Sequence, residues 1–144
     1  MAAEIPSTLM FWPMAAMALL TAVAWVTMGR RRFAAVRSRE VALDDFRGDR
    51  QTPLPAPAAI ATRHFANHFE IPVLFYVVCL LYLVFGAGDT LAAILAWAFV
   101  LVRAGHAREH LGRNQVATRF RLYVASTCMV WALWLLLAFR LALR

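Results

Sequence analysis

The fold class this sequence predicts is an all-α integral membrane protein, one four-helix transmembrane bundle over residues 1–144. Three observations predict it. The chain is 62% hydrophobic with a mean hydropathy of +0.63, well above the range of a soluble domain. Its apolar residues fall in blocks long enough to cross a hydrocarbon core of roughly 30 Å at about 1.5 Å per residue. Its 15 basic residues are all arginines, and they flank those blocks. Backbone polar groups in lipid must be satisfied within their own segment, so blocks of this length are helices.

The first block runs over about 7–28, with MFWPMAAMALLTAVAWVTM at its heart. No A-x-A cleavage site follows it, which predicts an uncleaved first helix rather than a signal peptide. A long link, 29–57, is charged at first and then rich in proline (Pro53, Pro55, Pro57), which predicts an extended end. The second helix is predicted over about 58–85 and contains EIPVLFYVVCLLYLVF. GAGD, residues 86 to 89, reads as a tight glycine turn that folds the second and third helices into an antiparallel hairpin. The third helix is predicted over 89–111, with Asp89 as its N-cap and Thr90 as the alternative. The fourth is predicted over 118–141 and includes LYVASTCMVWALWLLLAF. Cys79 and Cys128 lie inside apolar blocks and read as small core residues, with no disulfide framework. Gly105 and Gly112 read as sites of close helix contact. The five tryptophans read as lipid-facing or packing residues.

Charge sets the orientation. The first and third links and the helix ends beside them hold Arg30, Arg31, Arg32, Arg37, Arg39, Arg47, Arg50, Arg63, Arg103, Arg108, Arg113, Arg119 and Arg121. The opposite side holds Arg140 and Arg144. The positive-inside rule then places both long links in the cytoplasm and both termini outside. The net charge of +7 in a soluble protein would suggest nucleic acid. Flanking apolar blocks, it predicts anionic lipid or an anionic ligand and no nucleic-acid partner.

The stretch ATRHFANHFEIP, residues 61 to 72, puts costly polar groups at the start of a membrane helix. Arg63, Asn67 and Glu70 are spaced i, i+4, i+7 and share one helix face. Arg103, His106 and His110 share a face of the third helix, and Arg119 and Arg121 open the fourth. Three helices therefore bring polar residues to one depth, which marks a functional candidate. The competing reading is structural: Arg63, Asn67 and Glu70 glue helices, while Arg108, Arg113, Arg121, Arg140 and Arg144 snorkel to headgroups. A third reading is a histidine-held metal or haem, because His64 with His68 and His106 with His110 are i, i+4 pairs. The first pair is offset from the face of Glu70 and neither sits in a known ligand motif, so the sequence reading assigns no metal.

The pattern R-x-x-x-N-x-x-E followed by proline (Arg63, Asn67, Glu70, Pro72) resembles the signature of the MAPEG family, membrane-associated proteins in eicosanoid and glutathione metabolism, and within it the microsomal glutathione transferases. R-R-x-F after the first helix (Arg30, Arg31, Phe33), Arg103, and R-x-x-x-Y opening the fourth helix (Arg119, Tyr123) are also similar to family features. The resemblance implies a homotrimer binding glutathione as co-substrate between neighbouring subunits near the cytoplasmic side; the uncleaved first helix and dense arginine predict a bacterial inner membrane, with the endoplasmic reticulum as the alternative. The resemblance also implies Arg63 on a carboxylate, Asn67 on the peptide backbone, Glu70 on the amino group, and Arg30 or Arg31 of the neighbour on a carboxylate. Arg103, His106 and His110 complete the implied binding set, and Arg119 matches the residue that stabilises the thiolate. The implied activity is glutathione transfer or peroxide reduction on an apolar small molecule entering from the lipid. The sequence departs from the family pattern at Ile71, where members carry an aromatic, and at His106 and His110, where members carry tyrosines. Other members bind lipid without catalysis, so a non-catalytic scaffold or lipid-binding subunit is the alternative.

Overall fold

The computed structural model describes residues 7–46 and 53–143. Arg47, Arg50 and Arg144 of the arginine tally lie outside the described residues. Within them, four stretches are long and apolar enough to cross a membrane: Thr8–Arg37, Ala56–Val84, Thr90–Leu111 and Val116–Ala142.

A 3-10 turn, Ser7–Met10, leads into α1, Phe11–Arg37. Pro13 sits in the first turn, where the N–H it lacks has no helical acceptor. Met17 and Ala24 are buried one heptad apart and face the bundle, while Leu19, Val23, Trp25 and Val26 are exposed toward lipid. The helix runs nine residues beyond the predicted end at Met28. Hydropathy ends there, but arginine and alanine are good helix formers and nothing stops the backbone. The extension ends at Ser38, beyond which Arg39 takes a left-handed φ of 59°. It carries Arg30, Arg31 and Arg32, and packs Ala35 against Val41 and Ala58.

The second span is not one helix. It divides into α2, Ala56–Ala66, a 3-10 turn, Asn67–Phe69, and α3, Ile71–Val84. Proline explains both boundaries. Pro55 and Pro57 open α2, so the extended segment ends at Pro55 and Pro57 belongs to the first helical turn. Pro72 stands in the first turn of α3, where its missing N–H cannot bond back to His68 and its ring excludes a regular helix before it. The backbone swings at Glu70 (φ −103°, ψ −109°) and restarts with Val73 N–H on the Glu70 carbonyl.

Gly86 (φ +55°) reverses the chain after α3, with Ala87 N–H on the Tyr82 carbonyl and Gly86 N–H on that of Leu83. Asp89 then caps α4, Thr90–Leu111, accepting Ala92 N–H at 2.8 Å. The second span and α4 run antiparallel, as the meetings of Phe75 with Phe99 and Asn67 with Arg103 require. Gly112 stops α4: a Cβ there would lie 2.8 Å from the Arg108 carbonyl, so its role is helix termination rather than the predicted helix contact. At Gly105 a Cβ would meet Leu122 at an ordinary 3.9 Å. The last helix, α5, spans Val116–Ala142 and packs most closely on α4.

The core joins Met10 and Met17 to Phe75, Val78, Cys79 and Tyr82, then to Ala92, Ala96, Phe99, Val130, Leu133 and Leu137. Phe75 and Phe99 stack with centroids 4.2 Å apart. Cys128 is exposed on the surface of the bundle, so only Cys79 is the core residue predicted of both. Arg140 is not a snorkelling arginine. It donates to the Ala87 carbonyl at 2.9 Å, ion-pairs with Asp89 and lies over the Tyr82 ring.

Candidate functional site

The break in the second span builds a cavity of about 630 Å³ at the arginine-rich end of the bundle. Arg63, Asn67 and Glu70 come from α2 and the turn after it. His106 and His110 come from α4, Asn114 from the α4–α5 link, and Arg119, Phe120 and Tyr123 from α5. The three-helix convergence expected from spacing is therefore a lined cavity. Because the backbone turns between Asn67 and Ile71, Arg63, Asn67 and Glu70 reach it through that bend rather than along one continuous helix face.

The polar groups of this cavity are sparsely used within the chain. Tyr123 donates to Glu70 Oε2 at 3.5 Å, the outer edge of a hydrogen bond. Arg119 Nη1 donates to Asn114 Oδ1 at 2.7 Å, which holds the guanidinium at the cavity wall. Among the described residues no ion pair joins Glu70 to Arg63 or Arg119. With neutral histidines, the two arginines and one glutamate give the lining a formal charge of +1.

Not every predicted residue arrives. Arg103 is 1% exposed and lies behind the wall. Its Nη2 donates to the Asn67 carbonyl at 3.0 Å, in the interrupted stretch. Irregular backbone at membrane depth needs such a donor, so Arg103 supports the cavity rather than lining it. Arg31 turns inward as well, donating to the Leu111 carbonyl at 3.0 Å and the Pro57 carbonyl at 3.4 Å. It fastens the end of α4 to the start of α2. Arg30 is exposed, and neither it nor Arg31 lines the cavity of its own chain.

The four histidines form one buried cluster. His64 and His68 (1% and 2% exposed) meet His106 and His110 (2% and 3% exposed) across the α2–α4 contact. The His64 ring lies 5.0 Å from that of His68, 5.2 Å from His110 and 6.1 Å from His106. Spacing along the chain gives two separate pairs; the antiparallel register of α2 and α4 is what merges them. Asn114 and Tyr123 are further site residues without a predicted role. Asn114 adopts a left-handed φ of 53°, which asparagine tolerates. The only sequence signal for it is its place in the short polar link before α5.

Four spans, a polar bend within the second and a cationic cavity opening between helices define an integral membrane protein of the four-helix class. Residues 10–139 match the MAPEG family, and the chain belongs to it: a membrane protein of the group associated with glutathione and eicosanoid metabolism. Comparison with curated proteins and with solved structures finds no match for this chain.

Proposed function

We propose that this protein is a membrane-bound glutathione-dependent enzyme, a transferase acting on an apolar electrophile or a peroxidase acting on a lipid hydroperoxide. One observation carries the reading: the charge pattern of the cavity is the complement of the peptide. Glutathione has two carboxylates, one ammonium and a thiol; the cavity offers Arg63 for one carboxylate, Glu70 for the ammonium and Arg119 for the sulfur, and leaves the second carboxylate to a neighbouring subunit. Its volume of about 630 Å³ falls within the roughly 300–1,000 Å³ of small-molecule sites.

In this reading Arg63 forks a carboxylate, Asn67 bonds the peptide backbone and Glu70 takes the ammonium. Arg119, steadied by Asn114, sits beside the sulfur and favours the thiolate, which is the nucleophile. The thiolate attacks an electrophilic carbon of a substrate arriving from the bilayer and displaces its leaving group as an anion, or attacks a hydroperoxide oxygen and breaks the O–O bond. The second route gives the alcohol and glutathione sulfenic acid, which a second glutathione converts to the disulfide and water. The protein works as a homotrimer in a bacterial inner membrane, with both termini non-cytoplasmic and the cavity facing the neighbouring subunit. A neighbour's Arg30, exposed at the same end of the bundle, supplies a further cation. Arg31 is the weaker candidate for that role, because two carbonyls already occupy it.

The test is glutathione binding by calorimetry on the detergent-purified protein, with thiolate absorbance followed near neutral pH. Saturable binding with a thiolate signal lost in Arg119→Ala supports the enzyme. Absence of binding at millimolar glutathione favours a non-catalytic scaffold.

A further inference from the structure

The glutathione reading uses at most His106 and His110 of the histidine cluster, which line the cavity. His64 and His68 do not line the cavity, yet four imidazoles share one buried site. His64 Nδ1, His106 Nδ1 and both ring nitrogens of His110 have no hydrogen-bond partner. Buried polar atoms are nearly always satisfied, so several orphaned nitrogens at one point call for a ligand. The ligand atoms of His64, His106 and His110 all lie within 4.8 Å of one another. Nitrogens around a tetrahedral zinc stand roughly 3.4 Å apart, given bonds of about 2.0–2.1 Å. Each ring need move by less than about 1 Å to close on such an ion.

The hydrogen bonds also select the right form of His64. Thr21 Oγ1 gives its proton to the Met17 carbonyl at 3.1 Å. It therefore accepts from His68 Nδ1, 3.0 Å away. A neutral His68 protonated at Nδ1 has its lone pair on Nε2. That nitrogen faces His64 Nε2 at 3.4 Å, so His64 donates there and keeps its own lone pair on Nδ1, the orphaned atom. An imidazole with one nitrogen held by a donor–acceptor chain and the other free is the form in which histidine ligates metals.

We propose that His64, His106 and His110 bind a divalent transition metal of the zinc class, with His68 and Thr21 orienting His64. His106 and His110 line the cavity, so the remaining coordination position opens toward it. Three protein ligands with an open position is the arrangement of a reactive metal site rather than a structural one. Arg103 is buried in the same core and opposes any cation. It biases the site toward ions with strong imidazole affinity, such as Zn²⁺ and Co²⁺, and against Mg²⁺ and Ca²⁺.

The experiment uses full-length protein without an affinity histidine tag, stripped with chelator and free of glutathione. Zn²⁺ is titrated by calorimetry and Co²⁺ by visible absorption. One equivalent per chain is expected, with a ligand-field spectrum for Co²⁺ and no competition from excess Mg²⁺. His110→Leu should weaken binding at least tenfold in protein that still assembles. Thr21→Ala, which leaves all three ligands in place, should weaken it by about tenfold or more. It decides the question if His110→Leu does not assemble. Substoichiometric or non-saturating wild-type binding overturns the proposal, as does wild-type affinity in an assembled His110→Leu protein or in Thr21→Ala.

Discussion

The two ends of this bundle use the same kinds of residue in opposite ways. At the Gly86 turn, Arg140 meets the Ala87 carbonyl and Asp89, Asp89 also caps Ala92, and the Tyr82 hydroxyl donates to the Leu133 carbonyl at 3.1 Å. Arg140, Asp89 and Tyr82 there all find partners in the same chain, although the nearby Trp134 Nε1 does not. At the opposite end Arg63 and Glu70 share a cavity without an ion pair between them, and histidine nitrogens lie buried without partners. Arginine and carboxylate near a helix end therefore have no fixed meaning. Where their valences close on each other they are structural; where they stay open in a cavity, they form the proposed glutathione site. The proline break at Pro72 is what keeps the second end open, because it spreads Asn67 and Glu70 away from a regular helix.

That contrast can be broken by substitution. The largest effect is expected at the open end. Glu70→Gln removes one charge-assisted contact, worth about 1.5–3 kcal/mol, or roughly 10- to 150-fold in glutathione affinity. Calorimetry checks the affinity, and size-exclusion chromatography should show assembly unchanged. If the assembly instead dissociates and the wild type never bound glutathione, Glu70 is helix glue. At the closed end, Asp89→Ala loses a helix cap worth about 0.5–2 kcal/mol together with the partner of Arg140. Thermal unfolding in detergent should register the loss while glutathione affinity stays at the wild-type value. Gly86→Ala should cost about 1–2 kcal/mol through its left-handed φ, again with binding intact. The smallest effect should come from Asn114→Ala, which frees the Arg119 guanidinium. A several-fold loss of thiolate absorbance, with peptide affinity little altered, would separate orientation from binding.

Much of this was legible in the chain. Hydropathy alone marks the spans, because lipid demands long apolar helices whatever their detailed packing. Asp89 follows two glycines and precedes an apolar run, which is a local cap signal, and it does cap α4. The meeting of Arg63, Asn67, Glu70 and Arg119 follows from topology, since short links force helix ends to one depth. Other features needed the third dimension. Pro72 does announce the break, but a continuous apolar run masks it when hydropathy is the guide. Arginine on α1 looks like the end of a helix when only the membrane is considered, yet the backbone continues to Arg37. Arg31 carries a charge suited to a ligand but turns it to two backbone carbonyls, and Arg103 gives Nη2 to the Asn67 carbonyl while its Nε and Nη1 stay without partners, contacts set by neighbours distant in sequence. The histidine cluster is the clearest case. Each i, i+4 pair is ordinary alone, and only the α2–α4 contact makes four rings one site.

The central claim is that the open cavity at the arginine-rich end binds glutathione through complementary charge. Its most direct test is calorimetric titration of the purified protein with glutathione, beside Glu70→Gln. Saturable wild-type binding, weakened at least tenfold by the substitution without loss of assembly, is the predicted result. No heat and no thermal stabilisation at millimolar glutathione, where a binder gains stability by mass action, would contradict it.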